Sequence, residues 1–143
     1  MEKKKEKYST IPVFQLKTLN GTIVTGSALR KNVPVLFLFF NPDCDLCRDE
    51  MKAIQSQQDA FSFCQIVFFS TASVDKVLSF LEEISFLPLS NILFLIDENE
   101  DLTKKMNVRS SPASYIYNRK GKLIKRFDGS VKTETLIKYL AEG

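Results

Sequence analysis

The stretch Val35-Leu36-Phe37-Leu38-Phe39-Phe40-Asn41-Pro42-Asp43-Cys44-Asp45-Leu46-Cys47 decides the fold of this chain. Its first six residues are all apolar and follow Pro34, with none of the alternation of a strand that faces water on one side. An unbroken run of this kind reads as a strand buried on both faces, which is typical of sheets covered by helices. Asn41-Pro42-Asp43 ends the run. A helix is predicted over residues 44–57, because Cys47, Met51 and Ile54 recur at i, i+4 and i+7 and give it one apolar stripe. The two cysteines therefore sit where a buried strand turns into a helix.

Beyond this unit, residues 64–70 read as a second buried strand. Ser73 suits the N-cap of a helix whose inner face carries Val74, Val77, Leu78, Leu81 and Ile84. A loop over 86–91 contains Pro88, residues 92–96 form a third apolar strand ending at Asp97, and 102–106 form a short helix. Residues 113–118 and 122–127 make a hairpin around Lys120-Gly121, and a helix over 133–140 turns Leu136, Ile137 and Leu140 inward. Toward the N-terminus, strands over 13–16 and 22–24 flank the tight turn Asn20-Gly21. Strands alternating with helices indicate an α/β fold, with a central mixed β-sheet flanked by helices and an N-terminal β-hairpin. Residues 1–10 read as a flexible charged tail and 11–143 as a single domain.

Composition narrows the chemistry. The chain has 143 residues and a formal net charge of +3. Lys3, Lys4, Lys5 and Lys7 outweigh Glu2 and Glu6 in the first seven residues, so the body is close to neutral and lacks the basic face of a nucleic-acid binder. There is no histidine, which excludes Ser-His-Asp and Cys-His catalysis and imidazole metal ligands. Three cysteines cannot build a four-thiolate zinc site within one chain, and an odd count argues against a purely structural disulfide framework. Neither a metal nor a cofactor is expected. No segment approaches the roughly 18 apolar residues of a membrane span. The charged start is not followed by the apolar stretch of a signal peptide.

What remains is Cys44-Asp45-Leu46-Cys47. A cysteine at the first turn of a helix meets unpaired backbone N–H groups and the positive end of the helix dipole, both of which favour thiolate. Thiolate is the attacking species in disulfide exchange. A second cysteine three residues on lies on the same side and can close a short ring. Cys44 is thus the expected exposed nucleophile and Cys47, on the inward stripe, the resolving thiol. Asp43, Asp45, Arg48 and Glu50 are the charged residues expected to tune the pair. The two aspartates oppose a thiolate at Cys44, and Arg48 offsets part of that. Cys64 lies in an apolar stretch and reads as a packing residue. Tyr115 and Tyr117 read as residues of a sheet face.

Residues 39–51, Phe-Phe-Asn-Pro-Asp-Cys-Asp-Leu-Cys-Arg-Asp-Glu-Met, resemble the strand and C-x-x-C-R-x-E-M segment of TlpA/ResA-like thiol–disulfide oxidoreductases, thioredoxin-like proteins of the AhpC/TSA–redoxin type. Ile96-Asp97-Glu98, the stretch from Asn107 to Lys122 and the hairpin from Phe14 to Gly21 are similar to further segments of that family, so the likeness covers residues 11–142. The resemblance implies a thioredoxin fold with Pro112 in a cis peptide beside the sulfurs, and Ser111 offering its backbone to an extended substrate. The residue-level alternative for Pro112 is an ordinary strand-edge proline. It also implies a disulfide-containing protein substrate, an upstream thiol donor, a monomer and an extracytoplasmic location with the signal removed. Failing that location, the chain is cytoplasmic. Relatives often carry a buried acid near the sulfurs. Residues 35–40 hold none, which leaves Glu50 or solvent. The expected function is disulfide exchange as a reductant. The alternatives are a thiol peroxidase or a non-catalytic binding module. Peroxiredoxins need a Thr and a Pro where this chain has Asn41 and Phe37, and an adaptor would have lost a cysteine.

Overall fold

The computed structural model describes residues 6–143. A seven-stranded sheet is built from β1 (Gln15–Lys17), β2 (Ile23–Thr25), β3 (Val35–Phe39), β4 (Gln65–Ser70), β5 (Ile92–Ile96), β6 (Ala113–Tyr117) and β7 (Leu123–Asp128). Its spatial order is β2-β1-β5-β4-β3-β6-β7. β3, β4 and β5 run parallel, while β6 and β7 on one side and β1 and β2 on the other are antiparallel additions. Among the described residues, the α-helices that complete the fold are α1 (Asp45–Ser56), α2 (Val74–Glu83), α3 (Asp101–Lys105) and α4 (Thr133–Glu142).

The double burial read from residues 35–40 follows from side-chain alternation along a strand. Leu36, Leu38 and Phe40 join one core cluster with Cys47, Met51 and Ile54 of α1, Val77 and Phe80 of α2, and Leu136 and Leu140 of α4. Val35, Phe37 and Phe39 join the opposite cluster with Phe14, Leu102, Met106, Tyr115 and Tyr117. Aromatic rings fill both sides. Phe37 meets Phe14, Phe69 and Tyr117 edge to face at centroid separations of 6.5, 6.3 and 5.6 Å. Phe68 stacks on Phe94 at 5.1 Å. Phenylalanine packs such a core without a polar atom to satisfy, and edge-to-face pairs add to the burial itself.

Three expectations need correction. Residues 8–10 are docked rather than tail-like: Thr10 bridges Lys122, Leu123 N–H donates to Ser9 O, and the Tyr117 hydroxyl donates to Tyr8 O at 2.8 Å. The outer end of the expected tail, residues 1–5, lies outside the described residues. The first strand begins at Gln15, because Val13 is exposed and its carbonyl accepts from Lys105 Nζ while only Phe14 turns inward. On α2 the inner face is Val77, Phe80 and Leu81; Leu78 points to solvent, and Phe80 takes its place by stacking on Phe40. The helix starts where expected, with Ser73 Oγ accepting from Lys76 N–H.

Truncating Phe37 leaves a cavity bounded by three other rings. Phe37→Ala is expected to lower unfolding stability by about 3–5 kcal/mol, read from the midpoint of urea denaturation. A loss under about 1 kcal/mol would contradict the packing described here.

Candidate active site

β3 delivers the chain to a turn in which Cys44 N–H donates to Asn41 O at 3.0 Å and Asp43 N–H donates to Asn41 Oδ1 at 3.0 Å. Cys44 is then the N-cap of α1. Its backbone is extended, and its sulfur accepts from Cys47 N–H at 3.1 Å. The contact satisfies one of the free N–H groups of the first turn and is of the kind a helix N-terminus offers an anion. Leu46, which follows Asp45 and precedes Cys47, is 54% exposed and offers an apolar surface between the cysteines.

The two sulfurs are unequally placed. Cys44 is half-buried and Cys47 fully buried, and both are free thiols. Ser111 touches both. Its carbonyl accepts from the Cys44 thiol at 3.3 Å, and its hydroxyl lies 3.1 Å from Cys47 Sγ. The Ser111–Pro112 peptide is cis. Pro112 is buried, and its carbonyl accepts from Gly129 N–H at 2.9 Å and from Ser110 Oγ at 3.0 Å. Gly129 has φ 114°, a backbone conformation few residues other than glycine adopt. Burial, and secondarily the neighbouring Cys44 side chain, push the Cys47 thiol up to about 12.

Glu50 lies one turn beyond Cys47 on the same buried stripe of α1 and is 3% exposed. Val131 N–H donates to its Oε1 at 2.6 Å, while Oε2 is buried with no partner among the described residues. Desolvation raises its pKa to about 7 against the opposing pull of Val131 N–H. Of the two alternatives, Glu50 or solvent, the structure places the Glu50 carboxyl on the buried stripe that carries Cys47. That it is held by the backbone of the segment leading to α4 could not be read from spacing within α1.

The remaining charged residues are arranged differently. Asp43 and Asp45 are exposed at the mouth of the site. Arg48 turns toward α2, where its Nη2 meets Glu83 Oε2 at 3.1 Å and its guanidinium lies over the Phe80 ring. The structure thus gathers Cys44, Cys47, Ser111 and Pro112 and directs Arg48 elsewhere. Cys64 is fully buried, donates to Phe61 O at 3.2 Å and is pushed up to about 12 by burial. Sequence reasoning missed the contact of the Ser111 hydroxyl with Cys47, since nothing in spacing relates residues 64 positions apart.

Comparison with known proteins agrees with this geometry. The sporulation thiol-disulfide oxidoreductase A of Bacillus subtilis is 24% identical over 140 residues, covering 96% of this chain and 84% of that protein. The structure of a secreted Mycobacterium tuberculosis disulfide oxidoreductase homologous to E. coli DsbE matches with a TM-score of 0.77 at 22% identity, covering 98% of this chain and all of that one. Peroxidoxin BcpB from Mycobacterium tuberculosis matches with a TM-score of 0.78 at 17% identity, over 93% and 94% of the two chains. These structural likenesses show the shared fold. The AhpC/TSA family model matches residues 9–126, and on that match the chain belongs to the AhpC/TSA family.

Proposed function

We propose that this protein is a thiol–disulfide oxidoreductase that exchanges disulfides with protein substrates through Cys44 and Cys47 and works as a reductant. The observation that carries the reading is the pair of unequally buried thiols sharing Ser111 at a helix start. Cys44 attacks one sulfur of the substrate disulfide. A mixed disulfide forms, and the other substrate sulfur leaves as thiolate. Cys47 then loses its proton and attacks Cys44 Sγ, releasing the second substrate sulfur. The pair ends oxidised and the substrate carries two thiols. An upstream thiol donor returns the pair to its reduced form.

Burial binds the Cys47 proton tightly, so the second step needs an acceptor. Glu50 fits that role, since it shares the buried stripe and titrates near neutrality. The substrate segment runs in extended form along Ser111 and Pro112, with Leu46 as its apolar neighbour. What surrounds Cys44 supports a reducing poise. Strong oxidants stabilise their reduced form by holding the nucleophile as thiolate. Here Arg48 is paired with Glu83 while Asp43 and Asp45 stand nearby. A peroxidase is disfavoured, because Asn41 has no hydroxyl where peroxiredoxins use one and its Oδ1 is taken by Asp43 N–H. The relatives named as disulfide oxidoreductases support the reaction class, and the secreted one supports an extracytoplasmic location. We take the working unit to be a monomer.

Insulin reduction by dithiothreitol tests the activity. The wild type accelerates it, Cys44→Ser abolishes it, and Cys47→Ser accumulates a mixed disulfide with the substrate. Trapping by Cys44→Ser instead would reverse the roles. Cys64→Val keeps the rate within about threefold, since a buried thiol of this kind acts through packing. Redox titration against glutathione gives a potential nearer to about −270 mV than to about −120 mV, and a value above about −180 mV excludes the reductant.

Glu50 adds a pH signature. Its folded value of about 7 lies above the ordinary 4.5, so the stability it contributes is full below pH 4.5 and is lost as pH rises through 7. Glu50→Gln is expected to flatten the pH dependence of unfolding across that window, by a few kcal/mol at most, and to slow release of the mixed disulfide. An unchanged stability profile would show that Glu50 is not the titrating group.

A further inference from the structure

We propose that Arg126 is a positioning residue for the dithiol, acting through the segment that carries Ser111. The inference rests on the activity proposed above. Residues 107–112 join α3 to β6 without regular structure, and within them Ser111 makes the contacts to both sulfurs. A segment of this kind keeps its shape only if its ends are held. Asn107 begins it in the left-handed region at φ 52°, and Pro112 ends it with its carbonyl on Gly129 N–H.

One guanidinium holds the first end directly and pairs with the residue beside the glycine that holds the second. Arg126 projects from β7, and its Nη2 donates to Asn107 O at 2.6 Å. Its Nε pairs with Asp128 Oδ1 at 2.9 Å, in the residue next to the glycine that holds Pro112. The side chain is only 12% exposed. It lies against two rings that meet each other edge to face, 5.0 Å from the centroid of Tyr8 and 5.3 Å from that of Tyr115. Tyr8 is itself held by the hydroxyl of Tyr117. Arginine suits this place because its planar fork makes two directed bonds at once while stacking on aromatic faces, which a lysine ammonium cannot do. Burying a guanidinium is expensive, and here Nη1 has no partner among the described residues, so an apolar side chain would serve the core better. The benefit lies in the segment that the guanidinium holds.

The test uses the reduced full-length protein, comparing wild type with Arg126→Lys and Asp128→Ala; the second removes a surface carboxylate and leaves the core intact. The first readout is the rate of Cys44 alkylation by iodoacetamide at neutral pH in a Cys64→Val background. Ser111 O accepts from the Cys44 thiol, so loosening the segment is expected to speed alkylation about threefold or more, the effect of one ordinary hydrogen bond. Arg126→Lys should exceed Asp128→Ala. The second readout is insulin reduction, in which the loss should fall on KM more than on kcat, because Ser111 presents its backbone to substrate. A purely structural role would lower unfolding stability and move neither quantity in the folded variants. If both variants fold and keep the wild-type alkylation rate and KM, the proposal is overturned. Alkylation needs no turnover. A wild type that alkylates but does not reduce insulin would therefore remove the oxidoreductase reading while leaving the alkylation rates to decide on Arg126.

Discussion

Phe37 lies at the middle of β3 with three rings against one side of its strand, while its neighbours Leu36 and Leu38 enter the cluster on the other side. A strand without a wet face must be covered twice, and that requirement places the other elements. β4 and β6 satisfy its two edges. α1, α2 and α4 close one face, and α3 with the segment around Phe14 closes the other. The strand can then end in only one useful way. Its last residues must leave the core, and Asn41-Pro42-Asp43 carries the chain out to the start of α1.

The asymmetry of the two sulfurs follows from that exit. Cys44 falls at the boundary, where the backbone is still extended and the helix begins. Cys47, three residues on, is already on the stripe that Met51 and Ile54 continue into the core. Depth along the helix thus separates an accessible thiol at the N-cap from a desolvated one a turn further in on the same side. Ser111 approaches from the opposite side of the cleft and touches both, so the pair is defined by two chain segments that meet through β3 and β6 pairing, with Phe39 opposite Ala113.

The parts of this arrangement that depend on local pattern could be read in advance. Residues 35–40, the stripe Cys47–Met51–Ile54 and the Ser73 cap are signals carried by neighbouring residues, and each appears in the fold as expected. Leu78 lies near the edge of the apolar arc of α2 and is exposed, while Phe80 at the other edge is buried by stacking on Phe40, a choice that only tertiary packing makes. Residues 8–10 looked like the end of a charged tail because their partners, Lys122, Leu123 and Tyr117, lie more than a hundred positions away. The site shows the same division. The dithiol is a local motif. Val131, which holds Glu50, and Asn107, which Arg126 bonds, are backbone partners in other segments of the chain, which no periodicity reports.

Those two side chains also share a logic. A core of leucine and phenylalanine would be cheaper without a carboxyl on α1 and a guanidinium beside Tyr115, since each leaves a buried polar atom without a partner among the described residues. Both reach from a regular element to the backbone of an irregular one: Glu50 to Val131 before α4, and Arg126 to Asn107 after α3. Polar groups that break the pattern of a core are expected at functional sites. Here one lies a turn beyond Cys47 on α1, and the other bonds the start of the segment whose Ser111 touches both sulfurs. A variant that made these two positions apolar should fold more firmly, but it would lose the buried carboxyl one turn beyond Cys47 and the guanidinium bond to Asn107 that begins the Ser111 segment.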